Sequence, residues 1–204
     1  MKRIAATSFK FFVFGLAACF LFRIFVPISC RSREYPRRVS CQSNLKNLAL
    51  SIKEYSKDYD EKLPPLSSGG KTFGWADALS DYTRSREIFH CPSSTHDANG
   101  SDPKTGNFTD YAFNARLARM QTSKLDHPFS SVLLAEGNDG KDLSNARYSL
   151  STLPPSWIAD ENSPAFRHLT GANYAFADGH VKWLKPNRIK EVRPNGKNYT
   201  FAVR

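Results

Sequence analysis

Late in the chain Glu136, His168, Asp178 and His180 supply two carboxylates and two imidazoles, the donor types of a metal-dependent hydrolase. No H-E-x-x-H pair, no phosphate-cradling glycine loop and no G-x-S-x-G elbow accompanies them, so a hydrolase ranks below a structural role and the chain is expected not to be an enzyme. Asp178 alone offers a carboxylate to calcium, which takes clustered carboxylate and carbonyl oxygens in loops. The Asp178-Gly179 pair is accounted for more simply as a turn that needs no ligand. His168, beside Arg167, reads as a hydrogen-bonding anchor pinning its loop to that turn. Glu136 closes the apolar run 131–135 and is the carboxylate expected to be buried, where it needs a partner; His168 or Arg167 is the candidate.

The other reactive groups are Cys19, Cys30, Cys41 and Cys91, whose separations of 11, 11 and 50 residues match no zinc pattern of closely spaced pairs. Cys41 and Cys91 both sit beside apolar, structured segments. In an exported domain they form a disulfide, with two buried free thiols the equal alternative. Cys19 follows Leu16-Ala17-Ala18, and together these resemble the site at which bacterial lipoproteins are cut and acylated. That supports an alternative reading, a lipidated extracytoplasmic binding module.

The elements that carry these residues begin at the N-terminus. Residues 1–38 hold eight basic side chains against Glu34, so they contribute seven of the ten net positive charges of this 204-residue chain. The excess flanks the apolar stretch 9–28, where cations favour anionic headgroups, and it argues against nucleic acid as partner. That stretch has the length of a membrane-crossing helix, with Lys10 and Arg23 near its ends. The organisation is an anchor over 1–28, an amphipathic helical extension over 29–62 and a globular domain over 63–204, in an inner-membrane, single-pass protein with its domain in the periplasm.

Leu45, Leu48, Ile52 and Tyr55 recur at helical spacing, and Pro64-Pro65 limits how far the helix can run. A short helix is expected over 75–82 and strands over 110–114, 131–135 and 199–203, with 137–164 mostly loop. Asp178-Gly179 between alternating runs reads as a two-residue hairpin turn, pairing Ala177 with His180, Phe176 with Val181 and Tyr174 with Trp183. Tyr174, Phe176, Val181 and Trp183 then share one face. A helix first and antiparallel strands last indicate an α+β domain.

His168, nine intervening residues and Asp178-Gly179 form an H-x9-D-G segment that resembles the signature of prepilin-type, pseudopilin-like proteins of the planctomycete type. Arg37-Arg38 through Lys46, Tyr55 with Pro64-Pro65, Trp75 to Leu79, Ile88 to Pro92 and Val132 to Glu136 agree with it. The resemblance implies a pilin-like fold, α+β, with a long N-terminal helix, membrane-embedded and then amphipathic, packed on an antiparallel sheet. It further implies the membrane and other pseudopilin or secretion-system subunits as partners, in a type II secretion or type IV pilus-like apparatus, and calcium near the end of the sheet. It places Ala5-Ala6 at the processing site and Lys10 where such precursors carry a Glu, which replaces attraction between neighbouring subunits with repulsion.

Overall fold

A computed structural model describes Gly15, Cys19, Phe20 and residues 34–67, 73–94, 109–137, 146–192 and 197–203. The chain divides into two compact units, residues 1–36 and 37–204. In the first, Gly15, Cys19 and Phe20 are helical and exposed. Most of the stretch 9–28, together with Ala5, Ala6, Lys10 and Cys30, lies outside the described residues. Among the described residues no helix is long and apolar enough to cross a membrane.

Helix α1 covers residues 34–58. Cys41, Leu45, Leu48, Ile52 and Tyr55 are buried along one stripe, while Leu50 points away and stays exposed. The helix stops before the two prolines because Asp60 and Glu61 adopt left-handed φ of 53° and 58°. Helix α2, Trp75–Ala78, is short and continues into a 3-10 turn, Ser80–Tyr82. Its Trp75 Nε1 donates to Tyr148 O at 2.9 Å.

Five strands follow: β1 Tyr111–Asn114, β2 Val132–Glu136, β3 Ser149–Leu150, β4 Ala172–Phe176 and β5 Val181–Leu184, in the order β3-β1-β2-β4-β5. The pairs β1–β2, β2–β4 and β4–β5 are antiparallel, but β3 runs parallel to β1, so the sheet is mixed and not purely antiparallel as expected. The fold is α+β. One face of the sheet packs under α1 through Tyr111, Phe113, Leu134 and Ala175. The other face, with Ala112, Ala135, Tyr174 and Phe176, is covered by Trp157 of helix α3, Pro155–Ala159, and by Tyr199 and Phe201. Strands covered on both sides carry continuous apolar runs, which is why β2 reads VLLAE without alternation. A register irregularity between Val132 and Leu134 turns both Leu133 and Leu134 toward the α1 side.

Two expectations are corrected here. The hairpin loop has three residues, Ala177, Asp178 and Gly179, closed by Gly179 N donating to Phe176 O at 2.8 Å and Phe176 N donating to His180 O at 2.9 Å. Gly179 holds φ 93°, the left-handed residue that such a loop uses to rejoin the ladder. The observed pairs are Asn173 with Trp183, Tyr174 with Lys182 and Ala175 with Val181, one residue out of the expected register. Because side chains alternate, that single slip moves Val181 and Trp183 to the α1 side, away from Tyr174 and Phe176. The expected terminal strand is reduced to isolated bridges, Ile189 with Tyr199 and Ser131 with Thr200. The stretch expected as mostly loop is so among its described residues, apart from the short β3 and α3.

Candidate functional site

β2 is the central strand, and its last residue, Glu136, lies between the starts of β1 and β4 on the side facing α1. Three segments converge on it. Helix α1 brings Cys41, the chain leaving the 3-10 turn Arg86–Phe89 brings Cys91, and the loop before β4 brings His168. That loop is tight. Leu169 takes a φ of 69° and His168 N donates to Gly171 O at 2.9 Å, so His168 is folded back over the start of β4. One donor atom from each of Cys41, Cys91, Glu136 and His168 lies within 4.8 Å of the others, and all four residues are buried, none more than 1% exposed.

Glu136 is the hub. Its Oε1 lies 2.7 Å from His168 Nε2 and accepts from Asn173 Nδ2 at 2.8 Å, and its Oε2 accepts from Asn173 N at 3.0 Å. Of the two candidate partners His168 makes the direct contact, while the half-buried Arg167 acts on Glu136 through its charge and donates through Nη2 to Gly137 O. Cys91 Sγ lies 3.9 Å from His168 Nε2. Burial alone lowers the basicity of His168, but its contacts with Cys91 and Glu136 outweigh this and raise its pKa to about 9. Burial pushes the Cys91 thiol up, and its contact with Cys41 adds to this. Cys41 and Cys91 are two unbonded thiols. Beneath them, the buried Asp110 receives Cys91 N at 2.9 Å and Ser94 Oγ at 3.3 Å and lies 2.8 Å from His90 Nδ1. Burial opposes ionisation of Asp110, yet the His90 hydrogen bond and the Arg167 charge hold its pKa below the usual value.

Asp178 and His180 lie elsewhere, in and beside the loop at the far end of the β4–β5 hairpin from Glu136 and His168. Asp178 Oδ1 accepts from His180 N at 3.1 Å and lies 2.7 Å from His180 Nδ1. The four residues that could have formed a hydrolase cluster thus separate into two pairs, and the expected pinning of the His168 loop to the Asp178-Gly179 turn does not occur. The turn is held instead by Lys46 of α1, whose Nζ donates to Gly179 O at 2.6 Å. Among the described residues no third His, Cys, Asp or Glu donor joins Asp178 and His180. Cys19 is exposed and unbonded.

Sequence reasoning assigned no role to Asn173, Asp110 or Lys46. The first two had a signal, since Asn and Asp are disfavoured in and around apolar strands unless their side chains have a buried task. Lys46 had none, being one of three exposed lysines in α1. No curated protein and no solved structure matches the chain. Over residues 31–82, which include α1 and Cys41 but not Cys91, Glu136 or His168, the chain is similar to a family described as Protein of unknown function (DUF1559).

Proposed function

We propose that this chain is a pseudopilin-like structural or assembly protein of the cell envelope, anchored through residues 9–28 with its folded unit outside the cytoplasm, and that it associates with a type II secretion or type IV pilus-like system. The observation that carries this reading is α1. It follows in sequence directly on an apolar, basic-flanked segment and lays one apolar stripe along the sheet. Val39 and Leu50, each 44% exposed, remain on its outward side for a neighbouring subunit. The cluster around Glu136 supports a structural role, because its donors are closed off by packing where a catalytic metal needs an open position for substrate.

The test is fractionation of the native protein followed by mass determination of its mature N-terminus. Recovery with membranes, either uncut or cleaved next to Ala5 or Ala6, is the expected result. An acylated N-terminal Cys19 would replace the reading with the lipoprotein alternative, and full-length protein recovered as soluble cytoplasmic material would overturn the anchor altogether.

A further inference from the structure

We propose that Cys41, Cys91, Glu136 and His168 form a closed, structural zinc site that clips α1 to the sheet, a role that does not depend on where the protein resides or what it assembles with. The donor set is two sulfurs, one imidazole nitrogen and one carboxylate oxygen, a combination that suits tetrahedral zinc better than the hard cations that prefer oxygen alone. Each donor comes from a different segment: α1, the chain after the Arg86–Phe89 turn, the end of β2 and the loop before β4. One ion would therefore cross-link the whole upper edge of the unit.

The geometry needs little change. Zinc bonds of about 2.0–2.3 Å at tetrahedral angles put neighbouring ligand atoms about 3.3–3.8 Å apart. The four donors already lie within 4.8 Å of one another, and Cys91 Sγ to His168 Nε2 is 3.9 Å. The His168–Glu136 contact of 2.7 Å has to open by less than about 1 Å to admit the ion between the two side chains. Glu136 is already aimed by two hydrogen bonds from Asn173, as a ligating carboxylate is usually held by partners outside the metal sphere. Binding displaces the two thiol protons and the imidazolium proton of His168, so two thiolates, one carboxylate, a neutral imidazole and a dication leave a single negative charge. The guanidinium of Arg167, which interacts electrostatically with Cys91 and Glu136, offsets it. In an oxidising compartment the same two sulfurs face oxidation to a disulfide, and a bound dication is what keeps them as thiolates. The ligand spacings of 50, 45 and 32 residues explain why no zinc pattern shows in the sequence.

The experiment uses the full-length chain isolated without added chelator. Elemental analysis should find zinc at one per chain. Cobalt(II) exchanged into the site should give a thiolate-to-metal charge-transfer band and the intense visible bands of tetrahedral coordination. Cys41→Ser and Cys91→Ser should each diminish the charge-transfer band, and Cys19→Ser should not. Asn173→Ala, which removes a support and not a ligand, should weaken zinc binding by about 10–100-fold. A Cys41–Cys91 disulfide in peptide maps of the freshly isolated chain would overturn the proposal. So would wild-type protein with both thiols reduced that neither contains zinc nor gives the cobalt band, a readout that does not depend on any variant folding.

Discussion

Asn173 and Tyr174 are neighbours on β4 that face opposite sides of the sheet, and they are predicted to respond to truncation with opposite sign. Asn173 spends its side-chain amide on Glu136, so Asn173→Ala strips a buried carboxylate of a hydrogen bond. The expected loss is about 1–3 kcal/mol, the usual cost of leaving a buried polar group short of a partner. Tyr174 is 1% exposed, and its hydroxyl has no hydrogen-bond partner among the described residues. Burial without such a bond pushes its pKa up. Tyr174→Phe removes a desolvated group that gets nothing in return, and is expected to leave stability unchanged or raise it by up to about 1 kcal/mol. Urea unfolding of both variants checks the pair. A Tyr174→Phe loss above about 1 kcal/mol would show that the hydroxyl has a partner after all. At this scale the burial of Glu136 and its need for His168 or Arg167 were legible, because a carboxylate ending an apolar strand must find a donor, but the choice between the two was not. That Cys41 and Cys91 approach each other was expected, as a disulfide, but their convergence with Glu136 and His168 was not legible, since donors drawn from four distant segments leave no local spacing to read.

The hairpin shows where reading elements from sequence stops. Asp178-Gly179 announced a turn correctly, but two- and three-residue loops with Gly at positive φ look alike in sequence, and the choice between them shifts the ladder by one. What selects the longer loop is tertiary: Lys46 holds the Gly179 carbonyl, and the Tyr174–Lys182 register lets Lys182 Nζ donate to Tyr199 OH at 2.6 Å. Helix α1 was legible because it is buried on one side only. Strands β1, β2, β4 and β5 were found but their faces were not, because cover on both sides removes the alternation. Strand β3 and helix α3 were missed because two and five residues are too few to show a period. Gly179→Val is predicted to cost about 1–3 kcal/mol, as a β-branched residue is forced to a φ of 93°. Asp178→Asn keeps the turn chemistry and should cost less than half as much. Gly74→Ala tests a different constraint. A Cβ there would lie 2.1 Å from Ala146 O, against backbone that α2 itself needs, since Ala76 N donates to the same oxygen. Thermal unfolding should rank both glycine variants below Asp178→Asn, and an Asp178→Asn protein as unstable as Gly179→Val would mean that the carboxylate holds more than the turn.

At the scale of the whole molecule, both hydrophobic clusters, among the described residues, are made of residues from Cys41 onward, so a chain beginning at Arg37 keeps both of them. The two clusters lie on opposite faces of one sheet whose central strand contributes to both, Leu134 to one and Ala135 to the other. Neither cluster can melt without exposing the back of the same strand, and unfolding should therefore be a single cooperative transition. Leu48 of α1 is fully buried in the first cluster and Trp157 of α3 is 5% exposed in the second. In the chain beginning at Arg37, Leu48→Ala is expected to cost about 2–5 kcal/mol and Trp157→Ala about 3–5 kcal/mol. At about 2–4 °C of Tm per kcal/mol for a protein of this size, either loss is large enough to measure. Each variant should shift the far-ultraviolet circular dichroism and the tryptophan fluorescence transitions together, since Trp75 reports from the α1 side and Trp157, where it is kept, from the other. If Leu48→Ala instead split the two signals, with the α1 side melting first while Trp157 stayed in a native environment, α1 would be a detachable layer, and the sheet with its far-side cover would be the folding unit.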